Sequence, residues 1–155
     1  MYRKIKHTQM AAMVLLLLGL LLPTGGNATE MQTDLRINEV FQRYGRQRNV
    51  TMVELSNEML ETYNLTHYKS IVIKNNPAAL QFVRQCLEVD QQGAKKIKEV
   101  TDNGLLVSSY YQLPGTRADL NRFILFKVNE KGEITLVYIE GEIDSEDLIT
   151  ILFTN

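Results

Sequence analysis

Residues 122–141, RFILFKVNEKGEITLVYIEG, decide the fold of this chain because they contain two apolar runs joined by a tight turn. The runs cover 122–129 and 133–141. Gly132, in the turn between them, suits the left-handed backbone position of a β-hairpin. Strands joined by a tight turn pair antiparallel, so the sequence predicts an antiparallel hairpin here.

Both faces of the second predicted strand are largely apolar, since successive side chains of a strand point to opposite sides. One face carries Ile134, Leu136 and Tyr138, and the other carries Val137 and Ile139. We therefore expect this strand in the centre of a sheet, with helices on one side and a partly covered second side.

Further strands and helices are predicted outward from this hairpin by hydrophobic spacing and turn residues. The predicted strands are 50–55, 69–74, 96–101 and 105–113, and the predicted helices are 34–44, 57–63, 77–89 and 145–153. Runs of strands that are separate from helices favour an α+β fold. We expect an antiparallel sheet meander with helices packed mainly on one face, in one domain over residues 29–155.

Polar and turn-forming residues mark the connections between these elements. Asp34 and Ser56 are predicted to cap helices, because their side chains accept hydrogen bonds from the first turn. Residues 75–77, Asn-Asn-Pro, predict a helix start, because proline suits the first helical turn, where its missing N–H costs nothing. Residues 102–104, Asp-Asn-Gly, predict a tight turn. A turn-like stretch is expected at 64–68 and a loop at 114–121.

The composition narrows the classes of function that are open to the chain. Its 155 residues suffice for one domain, and 17 Lys+Arg against 18 Asp+Glu give a net charge of −1. That balance gives no general attraction for nucleic acid, whose binding depends on neutralising phosphates. A single cysteine excludes an internal disulfide and a metal cage of several thiolates.

The first 28 residues have the three-part layout of a secretory signal peptide. Three basic residues precede an apolar run at 10–22, and small residues precede a cut after Ala28. The alternative, a retained membrane anchor, would need about 20 apolar residues to cross a bilayer. We expect removal of residues 1–28, no stable membrane span afterwards, and a periplasmic or extracellular location.

Cys86 and His67 form the one thiol–imidazole pair available in the predicted mature chain. The spacing of Cys86 from Ala79, Phe82 and Val83 places it on the apolar side of its helix, where free cysteine behaves as a small hydrophobe. We therefore predict no catalytic residue, no cofactor and no metal site, and we expect that the protein is not an enzyme.

The acidic run at 140–147 lacks the ligand spacing of a calcium-binding loop. Asp144 is predicted to cap the last helix, and Glu140 and Glu142 are expected at a solvated strand end. An enzyme that uses these carboxylates is the alternative, and it requires two of them to converge in a cleft.

Tyr110 and Tyr111 are the first candidates for binding a partner. Adjacent residues of a strand point to opposite faces, so one of the two rings can lie at the surface. The alternative is that both are packing residues. Pro114 and Arg117, in the loop that follows, complete the candidate binding surface.

The stretch 137–148, VYIEGEIDSEDL, resembles the closing motif of a family of small secreted proteins from Bacteroidota with a domain of unknown function. Members are similar to this chain in layout, including a helix with a Phe/Tyr pair, here Phe41 and Tyr44. The resemblance implies a Gram-negative envelope location and supplies no catalytic residue. Similar proteins lie near sigma-factor regulators, which implies a link to envelope signalling.

These observations together favour an exported, non-catalytic interaction or regulatory module of the bacterial cell envelope. Its partner would be an envelope protein or a small ligand rather than nucleic acid. Two alternatives stay open. One is a small envelope enzyme, and the other is a lipid- or small-ligand-binding protein, which needs a cavity between sheet and helices.

Overall fold

The computed structural model describes residues 34–148 except Thr116 and Ala118. The predicted signal peptide, 1–28, lies outside the described residues, and so does the part of the predicted last helix beyond residue 148. The described elements are, in chain order, α1 (Ile37–Tyr44), β1 (Val50–Glu54), α2 (Asn57–Thr62), β2 (Leu65–Ile73), α3 (Pro77–Asp90), β3 (Lys95–Asp102), β4 (Leu105–Leu113), β5 (Asn121–Val128) and β6 (Ile134–Gly141).

The six strands form one antiparallel sheet in the order β1-β2-β6-β5-β4-β3. Strands β3 to β6 follow one another as a meander, and β2 then pairs with β6. The predicted α+β fold with its meander is therefore confirmed. The central position of the strand that ends at Gly141 is confirmed as well, because β6 lies between β2 and β5. The edges of the sheet are β1 and β3.

Helices α1 and α3 cover one side of the sheet, which we call the first face. Their apolar side chains share a core with buried residues of β2, β4, β5 and β6. The fully buried members of this core are Ile37, Val40, Ile71, Ile73, Ala79, Val83, Leu87, Ile124, Ile134, Leu136 and Tyr138. Burying one large aliphatic side chain contributes about 1.5–3 kcal/mol, so this layer is the main source of stability.

The opposite side of the sheet, the second face, carries a smaller core. Helix α2 and a helical turn at 145–148 contribute one buried leucine each, Leu60 and Leu148. The other buried members are Val53, Leu65, Tyr68, Tyr110, Phe123 and Ile139. The two longer helices thus lie on one face and the second face is partly covered, as predicted.

The predicted cap at Ser56 is present, and Asn76 caps the helix whose start is predicted at 75–77. The Ser56 side chain accepts a hydrogen bond from the Met59 N–H at 3.4 Å, and the Asn76 side chain accepts one from the Ala79 N–H at 3.0 Å. These contacts satisfy donors of the first helical turn that have no partner within the helix. They fix the starts of α2 and α3 where the sequence predicted them.

The prediction that Asp34 caps α1 is wrong. The carboxylate of Asp90, at the end of α3, accepts hydrogen bonds from the Arg36 and Ile37 N–H groups at 2.7 and 2.8 Å. Burial raises the pKa of Asp90 above its ordinary value, although those two hydrogen bonds act in the opposite direction. A residue 53 positions away thus ties α3 to α1, whereas Asp34 binds Arg122 instead.

The prediction of a turn-like stretch at 64–68 is also wrong, except for its first residue. Only Asn64 has the positive φ of a turn, and β2 begins at Leu65, with an irregular register between Leu65 and His67. Gly141 lies opposite this point. A Cβ atom there would meet the Leu65 Cα at 2.8 Å, so the close approach of β2 and β6 needs glycine.

Candidate functional site

The exposed edge of the sheet is formed by β3, which we call the β3 edge (Lys95–Asp102). Only Ile97 is partly buried among its eight residues. The strand forms because Asn103 and Gly104 take positive φ values of 51° and 78°, as a two-residue hairpin turn requires. The predicted turn at 102–104 is therefore present, and it holds β3 against β4, while no other strand of the described residues pairs with the outer side of β3.

Two apolar side chains lie exposed at the β3 edge and its turn. Val100 is 39% exposed and Leu105, at the start of β4, is 55% exposed. Lone apolar residues on a surface are ordinary. Here, however, they accompany a strand edge, whose outward N–H and C=O groups can pair with another strand.

A β-bulge in β3 sets which side chains share a face. Lys96 pairs with Tyr111 and Lys98 with Tyr110, so Ile97 is the extra residue. As a result Lys96 and Glu99 lie on the same face, with Lys96 Nζ 3.4 Å from Glu99 Oε2. The Tyr111 hydroxyl donates a hydrogen bond to the same oxygen at 2.6 Å. That hydrogen bond lowers the pKa of the exposed Glu99.

Neither Tyr110 nor Tyr111 has an exposed ring, since their exposed fractions are 1% and 2%, and the alternative that both are packing residues is confirmed. The Tyr110 ring packs against Phe123, 5.8 Å between centroids, and its hydroxyl donates to the Ser145 carbonyl at 3.3 Å. Burial raises the pKa of both hydroxyls. Tyr110 is buried because it belongs to the core of the second face. Tyr111 points to the first face, opposite Ile124 of β5. A binding role for either stays a prediction.

Pro114 and Arg117, by contrast, are exposed in the loop after β4. Arg117 Nε lies 3.5 Å from Asp119 Oδ1, an exposed pair that contributes little. The Pro114 carbonyl accepts a hydrogen bond from Arg122 Nη1 at 3.4 Å. The structure thus separates the predicted site: two residues are in the core and two are in a loop that is anchored to a buried group.

That buried group belongs to a chain of polar contacts, which we call the Arg122 network (Asp34, Thr66, His67, Arg122, Tyr138 and Glu140). Arg122 Nη2 donates to Asp34 at 3.1 Å and Nε donates to the Tyr138 hydroxyl at 3.1 Å. The Tyr138 hydroxyl donates to Glu140 at 2.8 Å. The Thr66 hydroxyl also donates to Glu140, at 2.8 Å, and His67 Nδ1 lies 3.2 Å from it.

Two ionised groups of the network are almost completely buried, with Arg122 4% and Glu140 3% exposed. Burial raises the pKa of Glu140, but hydrogen bonds from Tyr138 and Thr66 and the proximity of His67 outweigh it, and the pKa is lowered. Burial likewise lowers the pKa of Arg122, and Tyr138 and Asp34 reverse that change. Both groups are therefore held in their charged forms.

Sequence reasoning missed this network. The expectation that Glu140 lies at a solvated strand end is wrong, and His67 lies in β2 rather than in a turn. A signal was present in the predicted hairpin, because continuing its register from the turn sets Arg122 directly opposite Glu140. A cation and an anion at paired positions of two apolar strands indicate a buried pair.

The other groups considered for chemistry are Cys86, Glu142 and Asp144. Cys86 is buried on the apolar side of α3, as predicted, and burial and the charge of Asp90 raise the pKa of its thiol to about 11. Glu142 is exposed, and Asp144 accepts a hydrogen bond from the Asp147 N–H at 2.9 Å, the predicted cap. Within the described part of the chain, no three His, Cys, Asp or Glu side chains are grouped to hold a metal ion.

Comparison with known proteins places the chain in a family without assigning an activity. Residues 26–152 match the model of a family described as "Family of unknown function (DUF6108)". The chain belongs to this family. No curated protein matches the sequence. The resemblance to a domain of unknown function is thus confirmed, and an origin in Bacteroidota stays a prediction.

None of the helices in the described residues is long and apolar enough to cross a membrane.

Proposed function

We propose that this protein is an exported, non-catalytic interaction module of the bacterial cell envelope, and that its contact surface is the β3 edge. The observation that carries the proposal is the exposure of an eight-residue edge strand along nearly its whole length. The outward backbone groups of such a strand give affinity to an added strand, and its side chains give specificity.

A rigid support behind the β3 edge favours this role. Strand β4 is held by two buried tyrosines, whose hydroxyls bond to Ser145 and to Glu99 of β3 itself. At the far end of β4, the loop carbonyl of Pro114 is bonded to Arg122. A partner strand would therefore dock on a preformed edge, which lowers the ordering cost of binding.

Photocrosslinking tests the contact surface. A photoreactive amino acid that replaces Val100 in the full chain, produced in its native envelope, is expected to form a discrete adduct. The matched control replaces Val89, an exposed valine on α3. If both probes give the same adducts, or if the probe at Val100 gives none, the β3 edge is not a contact surface.

Export is supported by the charge and apolar pattern of residues 1–28. The mass of the protein recovered from the periplasmic or surface fraction is expected to correspond to cleavage after Ala28. Recovery of the intact chain from the cytoplasm would remove the envelope part of the proposal and leave the contact surface to be tested separately.

A second candidate, binding of a small ligand beside His67, is favoured by one observation. The Nε2 atom of His67 is buried and has no hydrogen-bond partner among the described residues. A ligand with a matching polar group would supply that partner. The candidate predicts that the His67 ring resonances of nitrogen-15-labelled protein shift when a small-molecule extract of the envelope is added, and unchanged resonances would exclude it.

A further inference from the structure

We infer that a second copy of this chain occupies the β3 edge, antiparallel, with Val100 of one copy opposite Val100 of the other. This inference rests on the proposed function and names its partner. The two sheets would then continue across a two-fold axis that passes between the two Val100 residues.

Geometry restricts the possible registers. A two-fold axis that relates antiparallel edge strands stands perpendicular to the sheet, so each residue must lie opposite one that points to the same face. The bulge at Ile97 interrupts the alternation of faces in β3, whereas the second irregularity, at Val100 and Thr101, has its extra residue on β4. Residues 98–102 therefore form the regular pairing segment, and one of them must lie opposite its own copy.

The side chains select one register within this segment. With Val100 on the axis, Lys98 lies opposite Asp102 of the other copy, and the symmetry gives this pairing of opposite charges twice. Glu99 then lies opposite Thr101. An axis at Lys98, Glu99 or Asp102 would set two like charges opposite each other, which destabilises a strand pair. An axis at Thr101 would set Val100 opposite Asp102.

Faces and exposure agree with this register. Lys98 lies opposite Tyr110 and Val100 opposite Ser108 within the chain, so both side chains point to the second face. Lys98 and Asp102 are exposed, and Val100 is 39% exposed. An ammonium group has three N–H donors, so Lys98 can bind Asp102 of the other copy and keep its contacts within its own chain.

The dimer is expected to be weak, since a pair of five-residue segments buries much less than a standard interface. Sedimentation velocity over a wide concentration range, on protein purified from cells expressing the full chain, measures its association. Lys98→Glu and Asp102→Lys each set like charges opposite each other twice. Each variant alone is expected to associate about tenfold more weakly, or not at all.

Mixing these two variants gives the decisive result. In the mixed dimer, the glutamate introduced at position 98 of one copy faces the lysine introduced at position 102 of the other. The unchanged Asp102 and Lys98 also face each other, so every charge pair is attractive. The mixture is therefore expected to regain the association of the natural chain, and this recovery also shows that both variants are folded. Failure of the mixture to associate, with circular dichroism unchanged, would overturn the register.

Disulfide formation tests the position of the axis independently. Val100→Cys is expected to give a covalent dimer on mild oxidation, because directly opposite residues of an antiparallel pair have Cα atoms about 4.5–5.5 Å apart. That distance lies within the range of about 4.4–6.8 Å that a disulfide spans. Thr101→Cys and Val89→Cys should not, since neither residue meets its own copy in this register. Cys86 does not interfere, because it is buried. Equal yields for Thr101→Cys and Val100→Cys would exclude this axis.

The outcomes separate this inference from the proposed function. A Val100 photoadduct with a different protein, together with a monomer at every concentration, would leave the β3 edge as a contact surface and overturn self-pairing. Loss of the Val100 photoadduct together with loss of association would overturn the β3 edge as a contact surface and self-pairing as well.

Discussion

Strands β6 and β3 each have eight residues, yet they lie at opposite extremes of exposure in one sheet. β6 is central and five of its side chains are fully or almost fully buried, whereas β3 is an edge with one partly buried residue. Each strand carries a glutamate that accepts a hydrogen bond from a tyrosine: Tyr138 donates to Glu140 at 2.8 Å, and Tyr111 donates to Glu99 at 2.6 Å.

The difference between these two glutamates shows how position decides the role of one residue type. Glu140 is buried, so Thr66, His67 and Tyr138 must replace its water, and its loss leaves buried donors without an acceptor. Glu99 is exposed, and water can replace any partner that it loses. Fixed partners therefore hold the charge of Glu140 in the centre of the fold, whereas water can replace the partners of Glu99 at the edge.

The largest expected contrast concerns the apolar residues of the two regions. Leu136→Ala in β6 should lower the free energy of unfolding by about 2–5 kcal/mol, because the residue is fully buried on the first face. Leu105→Ala, beside β3, should change it by no more than about 0.5 kcal/mol. Urea denaturation followed by circular dichroism measures both. Similar losses for the two variants would contradict the contrast between centre and edge.

The paired glutamates give the next largest contrast. Glu140→Ala is expected to lower the free energy of unfolding by about 2–3 kcal/mol, since it leaves buried hydroxyl groups and Arg122 in an incomplete network. Glu99→Ala is the matched control, with an expected change within about 0.5 kcal/mol. Chemical denaturation at neutral pH checks both. Equal, small effects would mean that the Arg122 network does not stabilise the fold.

Two glycines at the ends of these strands sharpen the comparison further. Gly141→Ala should cost about 1–3 kcal/mol, because the new Cβ would meet the backbone of Leu65. Gly104→Ala should cost about 1 kcal/mol from the left-handed backbone alone, since no atom lies within 4 Å of the new Cβ. Thermal unfolding ranks the two variants. A larger loss at Gly104 would contradict the tight contact at Gly141.

Local sequence patterns predicted most of the fold and little of the candidate site. Gly132 and residues 102–104 fixed two hairpins, and Asn76 with Pro77 fixed the start of α3, because each signal acts within a few residues. The cap on α1 was missed because Asp90 comes from 53 positions away. Burial of Tyr110 and Tyr111 depended on what covers the two faces of β4, and this is a property of the whole fold.

The smallest expected effect is the pH dependence that Glu140 adds to stability. The folded protein holds the pKa of Glu140 below its ordinary value of 4.5, so the folded state binds this proton less readily than the unfolded state does. The stabilisation by the Glu140 carboxylate is therefore complete above about pH 4.5. It is lost as the pH falls through the lower pKa that Glu140 has in the folded state. Asp90 has the opposite effect on stability. Its pKa is raised in the folded protein, so its contribution to stability falls as the pH rises.

Comparing the natural chain with Glu140→Gln separates these contributions, since Asp90 is present in both. The difference in free energy of unfolding between the two proteins should be constant from about pH 6 to 7 and shrink progressively toward about pH 3. For Glu99→Gln the same comparison should show a much weaker trend, because Glu99 is exposed and solvent screens its interactions. A difference for Glu140→Gln that grows on acidification would mean that the network holds this carboxyl in its protonated form, and that the buried centre of the sheet carries one negative charge fewer than the hydrogen bonds indicate.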